Sequence, residues 1–205
     1  MKVLLVNGSP RREGNTFRAL SEVACALNGE GIETEIFQIG SKPVRGCAAC
    51  HACVGKGRCV FDDDVCNQLS AKFAEADGIV VGSPTYYGQP NGALLALLQR
   101  ACFSGRAGVQ EKPAASVAVC RRGGSTAAFQ CLNMPFEMLN CLIVGSQYWN
   151  VAFGREPGET ARDTEGMQTM RTLGRNMAWV LKNLHREGAE PRPSGEEWQP
   201  MHFIR

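Results

Sequence analysis

The amino-acid sequence predicts an α/β fold: a doubly wound parallel sheet of five strands with helices on both faces. Three observations carry this expectation. Strand-like and helix-like segments alternate along the chain, the strand-like runs are apolar on both faces, and an amphipathic stripe at residues 164–184 closes the fold. Strands without a polar face belong to parallel sheets covered by helices on each side, and right-handed crossovers then fix the double winding.

Each element follows in order. The apolar run KVLLV at residues 2–6 ends at Asn7-Gly8-Ser9-Pro10 and reads as strand one, and residues 17–27 carry apolar spacing of three and four and read as a helix. Residues 33–39 alternate into strand two. Residues 62–76 open on Asp62-Asp63-Asp64, an acidic first turn that suits a helix N-terminus. Residues 78–81 form a buried-strand run, followed by a loop at 83–89 and a helix ending near Phe103. A fourth strand at 114–120, a Gly-rich loop at 121–125, a helix to about Asn140 and a fifth strand at 142–148 complete the alternation. In the last helix the stripe is Met167, Met170, Leu173, Met177, Val180, Leu181 and Leu184. The expected organisation is one domain over residues 1–187 with a Cys-rich insertion at 45–61, then a Pro- and Glu-rich surface tail at 188–205.

Bulk properties exclude several classes. A formal net charge of +2, with no basic run interleaved with aromatics, argues against nucleic acid. No apolar stretch approaches the roughly 20 residues of a membrane span, and MKVLLVNGSP runs into a loop without a signal-peptide cleavage site, so a cytoplasmic location is expected. In that setting ten cysteines point to thiol, metal or redox chemistry rather than a disulfide scaffold.

In an open α/β sheet ligands bind beyond the carboxyl ends of the strands, at the topological switch point, which in the order 2-1-3-4-5 lies between strands one and three. The loop after strand one, GSPRREGNT at residues 8–16, leads hydroxyls and an amide into a helix whose free N–H groups favour an anion. It lacks a P-loop Lys-Ser/Thr ending and no G-x-G-x-x-G is present, so a monophosphate fits better than a triphosphate or dinucleotide. The plainer alternative is that Ser9, Asn15 and Thr16 are turn and cap residues. After strand three, residues 82–92 place Tyr86 and Tyr87 on a flexible backbone at the same crevice, where a flat ring system could bind.

GSPRREGNT and SPTYYGQPNGALLALLQR, followed by CRRGGST at residues 120–126, resemble the phosphate, isoalloxazine and pyrimidine-edge loops of the NADPH-dependent FMN reductase and iron–sulfur flavoprotein superfamily, whose fold is flavodoxin-like. The resemblance runs from Met1 to about Leu184. It implies that Ser9, Arg11, Asn15 and Thr16 bind the FMN phosphate. It further implies that Pro84, Thr85, Tyr86, Tyr87 and Gly88 line the ring, with Arg122 and Gly124 nearby.

Cys47, Cys50, Cys53 and Cys59 form a C-x2-C-x2-C-x5-C run. Soft sulfur ligands select iron–sulfur clusters or zinc, and the run departs from the bacterial ferredoxin pattern by its longer last spacing and by Val60 where a Pro would stand. Three occupants stay open on the residues alone: a cluster, a structural zinc with His51 as an outside ligand, or free thiols. The resemblance implies a [4Fe–4S] cluster held by all four. Cys25, Cys66, Cys102, Cys120, Cys131 and Cys141 are expected on apolar faces without chemistry. His51, His185 and His202 have no telling partners, so a hydrolase is not indicated.

These features together imply an FMN-dependent oxidoreductase, NAD(P)H-dependent, with no catalytic side chain because the flavin N5 carries the chemistry. The alternative is an electron carrier between ferredoxin, a [4Fe–4S] cluster and FMN. A homodimer or homotetramer is expected, with small-molecule donors and acceptors. The acceptor stays open among free flavin, a quinone, a metal ion and oxygen, as does the choice between NADH and NADPH.

Overall fold

The computed structural model describes residues 1–197 and 199–201; His202 lies outside the described residues. The chain runs β1 (Lys2–Asn7), α1 (Asn15–Gly29), β2 (Glu33–Gln38), α2 (Cys66–Glu75), β3 (Gly78–Tyr86), β4 (Gln89–Pro90), α3 (Gly92–Ser104), β5 (Pro113–Cys120), α4 (Ser125–Met138), β6 (Leu142–Ile143), β7 (Val151–Phe153) and α5 (Thr164–Leu184).

The central sheet has the order β2-β1-β3-β5-β6, with parallel pairing throughout this path. Side chains alternate across it, as strand geometry requires. Val3 and Leu5 face α1 and α5 in one core, whereas Leu4 and Val6 face α2, α3 and α4 in the other. Along α1 the buried positions Ala19, Leu20, Val23, Ala24 and Leu27 keep the spacing read from the sequence, and α5 buries Met167, Met170, Leu173, Met177 and Leu181 on one stripe. The structure thus has the doubly wound arrangement that the sequence predicts.

Three expectations change. The fifth position is not one strand over 142–148: β6 pairs with Pro113 and Ala114, and β7 pairs with residues 118–120 of β5. Residues 143 and 151 lie opposite 114 and 118, so eight residue steps span four on β5, and the extra residues leave the sheet as a turn closed by Ser146 Oγ donating to Tyr148 O at 2.7 Å. Tyr148 and Trp149, on that excursion, are exposed and pack on each other at 5.0 Å. Secondly, α2 begins at Cys66 rather than at Asp62: Asp62 and Asp63 pair with Arg58 and Arg45 of the cysteine loop, whereas Asp64, paired with Arg100 of α3, also accepts from Cys66 N at 3.0 Å. Thirdly, β3 runs on through Pro84, Thr85 and Tyr86 and returns as the antiparallel β4, turning on Tyr87 (φ 50°) and Gly88 (φ 79°).

Beyond α5 the described tail has no regular structure, yet it touches the body: Arg192 donates to the carbonyls of Glu111 (2.7 Å) and Asn140 (2.6 Å). Among the described residues no helix is long and apolar enough to cross a membrane.

Candidate flavin site and cysteine pocket

The loop after β1 is pinned from below. Asn7, buried at the end of β1, accepts from Ser9 N at 3.1 Å and donates to Gln38 Oε1 at 2.5 Å, while Gln38 Nε2 donates to Ser9 O at 2.7 Å. Ser9 Oγ in turn accepts from Arg11 N at 3.1 Å. Gly8 N donates to Gly82 O at 2.8 Å, and a Cβ on Gly8 would stand 2.7 Å from that carbonyl, so only glycine permits the approach of β1 to β3. The loop delivers the chain into α1 with Gly14 as N-cap and no side chain capping the helix. The first-turn amides are therefore unspent by side chains, and the helix dipole adds partial positive charge there.

Of the four residues implied for the phosphate, Ser9 and Thr16 are buried, Asn15 is half-buried and Arg11 is exposed. Asn15 also has a task that was not foreseen: its Oδ1 accepts from Thr160 N at 3.1 Å, fastening the helical turn Glu159–Arg162 to the loop and leaving only Nδ2 as a donor. Asn7 and Gln38 were missed as well. Asn7 closes an apolar strand and Gln38 sits in an alternating one, so nothing local marks them.

The ring-lining residues Pro84, Thr85 and Tyr86 end β3, and Ser83 Oγ ties the return by accepting from Asn91 N at 2.9 Å. Asn91 then caps α3, accepting from Ala93 N at 2.8 Å. Gly124, at φ 87°, approaches so closely that a Cβ there would lie 2.8 Å from Gly88 Cα. The three loops thus meet at the carboxyl edge of the sheet. Thr85 Oγ1 is buried there without a partner, Tyr86 is half out, and Tyr87 and Arg122 are fully or largely exposed. An unpaired buried hydroxyl, an uncapped helix and glycines that clear the backbone fit a phosphorylated ring ligand such as FMN.

The second centre is built from the insertion. Cys47, Cys50, Cys53 and Cys59 all line one small cavity with His51, Phe61, Arg100 and Phe103, and its free volume of about 20 Å³ holds roughly one water. Cys47 and Cys50 are exposed, Cys53 is half-buried and Cys59 is buried. Among the described residues no three Cys, His, Asp or Glu side chains converge on a metal-sized site; what fits a cluster is the donor set, four thiols around one cavity. The loop holds Ala49 and His51 in left-handed conformations (φ 49° and 53°), which non-glycine residues adopt at a cost.

Charges fasten this loop. Asp62 pairs with Arg58 at 3.1 Å, Asp63 with Arg45 at 2.9 Å, and buried Asp64 with buried Arg100. The Arg45 guanidinium beside Asp63 holds that carboxyl below its usual range, and Arg45 also lies 4.3 Å from the Phe61 ring centroid. Asn67 of α2 accepts from Cys59 N at 2.9 Å and donates to Cys59 O at 3.1 Å. Asp64, Asn67 and Arg100 were not singled out from the sequence as site residues; the apolar setting of Arg100 in LLALLQRACF is the one signal that marks a buried cation.

The other cysteines behave mostly as expected. Burial pushes the Cys66 thiol up to about 11 and the Cys102 thiol up to about 12, which leaves both inert at neutral pH. Cys120 is also buried, and Cys131 and Cys141 are half-buried; Cys25 departs from the expectation by being exposed on α1.

Comparison with known proteins agrees with this geometry. Residues 1–156 match the NADPH-dependent FMN reductase family. An iron–sulfur flavoprotein of Methanocaldococcus jannaschii is 35% identical over 191 residues, covering 89% of this chain and 98% of that protein. An iron–sulfur flavoprotein of Methanosarcina thermophila is 30% identical over 186 residues, covering 89% and 96%. Among solved structures, RosB with a bound flavin-type intermediate superposes with a TM-score of 0.67 at 15% identity over 100% of this chain and 98% of that one. A flavodoxin from the Archaea gives 0.61 at 15% identity, covering 89% and 99%. The likeness to these structures establishes the flavodoxin-like fold, and the sequence matches establish kinship: the chain belongs to the NADPH-dependent FMN reductase family of flavin oxidoreductases.

Proposed function

We propose that this FMN oxidoreductase binds its flavin across the three loops at the carboxyl edge of β1, β3 and β5, takes reducing equivalents from NADH or NADPH, and carries a [4Fe–4S] cluster on Cys47, Cys50, Cys53 and Cys59. The observation that carries the flavin assignment is the convergence of loops 8–16, 84–88 and 121–125, with Thr85 Oγ1 buried and unpaired where they meet. In this reading Ser9, Arg11, Asn15 and Thr16 receive the phosphate together with the amides of the first turn of α1. Pro84 through Gly88 bound the ring, and Arg122 and Gly124 stand beside it. When bound, FMN supplies an atom that accepts hydride or passes single electrons, so the protein's task is binding and orientation. Tyr87, standing clear of its own subunit, is available to a nicotinamide or to a second copy of the chain in a homo-oligomer.

A second reading, an electron carrier fed by ferredoxin, is favoured by the exposure of Cys47 and Cys50 at the mouth of the cysteine cavity. One experiment separates the two. Protein purified without oxygen is assayed for FMN, iron and acid-labile sulfide, then mixed in stopped flow with NADH, NADPH or reduced ferredoxin. Rapid bleaching of the flavin by a nicotinamide supports the first reading, and bleaching by ferredoxin alone supports the second. Protein that neither retains nor binds FMN refutes both.

A further inference from the structure

Helix α3 joins the two centres. Its first residues follow the ring loop, and its ninth residue, Arg100, brings a cation into the cysteine cavity. The Arg100 side chain is 1% exposed and that of its partner Asp64 is 3% exposed. Arg100 Nη1 donates to Asp64 and to the Arg45 carbonyl at 3.2 Å. Its Nη2 donates to the Phe61 carbonyl at 3.2 Å and to Cys59 Sγ at 3.5 Å. The Nε–H is buried and has no acceptor.

A buried ion pair seldom contributes more to stability than an apolar pair of the same size, because desolvating two charges offsets their attraction. An orphaned buried donor on a guanidinium makes such a pair poorer still. Fold stability alone therefore explains neither the choice of arginine nor the direction in which its donors point. Both make sense if the cavity holds an electron-rich sulfur centre that accepts from the guanidinium edge.

We propose that Arg100, oriented by Asp64, is a positioning residue for the sulfur centre. It donates from Nη2 to the Cys59 thiolate and from Nε to a further sulfur of the same centre, and thereby raises the centre's reduction potential. The physical reason is that hydrogen bonds and positive charge near the sulfurs favour the more electron-rich, reduced state. This rests on the cluster assignment above.

The test uses the holoprotein, with the cluster midpoint potential followed by electron paramagnetic resonance and FMN content as the check on folding. The double variant Asp64→Asn/Arg100→Gln removes both charges at once and leaves net charge unchanged. Expected are a loaded cluster, wild-type FMN content, an unmoved flavin potential and a cluster potential at least about 59 mV lower, the equivalent of a tenfold shift in a one-electron equilibrium. A second variant, Arg100→Lys, keeps the cation for Asp64 but lacks the planar fork and the Nε donor. It should show a shift of the same sign, and it decides the matter if the double variant fails to fold or loads no iron. A wild-type potential in a cluster-loaded variant overturns the inference while leaving the cluster reading intact. Wild-type protein that holds no iron overturns both.

Discussion

Asn15 allows the proposed phosphate-binding role to be told apart from the structural one, because its two side-chain atoms can be altered separately. Oδ1 accepts from Thr160 N at 3.1 Å, and Nδ2 is the donor left over at the uncapped start of α1. Asn15→Asp keeps an acceptor for Thr160 and places a carboxylate in the first helical turn, where it interacts favourably with the dipole by about 0.3–1 kcal/mol. The apoprotein should therefore melt at or slightly above the wild-type temperature. For FMN the same change removes one hydrogen bond to a charged group, about 1.5–3 kcal/mol. It also sets a like charge near the phosphate, a repulsion of roughly 4 kcal/mol at ~4 Å and an effective dielectric of ~20. Salt screening reduces the second contribution, so the expected result is at least about a hundredfold weaker FMN binding with undiminished stability. Asn15→Ala, by contrast, loses the Thr160 contact as well and should lower both affinity and melting temperature. FMN fluorescence quenching and thermal melts of the same samples provide the readout. Wild-type affinity in Asn15→Asp would place the phosphate away from this loop.

Three further outcomes follow from the structure. Asp64→Ala strands the buried Arg100 guanidinium and should cost about 3–5 kcal/mol in urea unfolding; the double replacement Asp64→Leu/Arg100→Met should recover most of it, and a loss under 1 kcal/mol for the single variant would contradict the burial of this pair. Gly8→Ala drives a methyl against the Gly82 carbonyl, 2.7 Å away, and should destabilise by about 1–3 kcal/mol, as overpacking does, together with weaker FMN binding; an unchanged urea midpoint would show that β1 and β3 can part. Cys102 ties stability to alkaline pH. Its folded thiol is pushed up to about 12 by burial against an ordinary value of 9.0. Below pH 9 both states hold the proton and contribute no slope, whereas between pH 9 and 12 only the unfolded chain releases it, so stability falls as pH rises, by up to about 1.4 kcal/mol per unit. Cys102→Ala should flatten that part of the profile, and an unaltered slope would refute the assignment.

Local periodicity and short motifs carry one part of this protein's architecture. The apolar runs of β1, β3 and β5, the i, i+3, i+4 spacing of α1 and α5, and the glycine- and hydroxyl-bearing loops at the strand ends are contiguous signals. A parallel, doubly wound topology turns them into one edge, so the segments that carry Ser9, Thr16, Thr85 and Gly124 all follow the carboxyl ends of β1, β3 and β5. The C-x2-C-x2-C-x5-C spacing likewise sufficed to put four thiols around one cavity. Contacts between partners far apart in the chain are set by the folded arrangement and are not legible in any local stretch. Asn15 and Thr160 are 145 positions apart, Asn7 and Gln38 are 31 apart, and Asp64 meets Arg100 across 36. The acidic triplet looked like a helix start because the local dipole argument is valid; it lost to three guanidiniums, of which only Arg58 is near in sequence, Arg45 and Arg100 standing 18 and 36 positions from their partners. The fifth strand split for a related reason: four surplus residues between Ile143 and Val151 have to leave the sheet, and only the register against β5 reveals the surplus. Short-range pattern reports which face of an element is apolar, whereas the identity of a buried polar group's partner is set by how the whole chain closes around it.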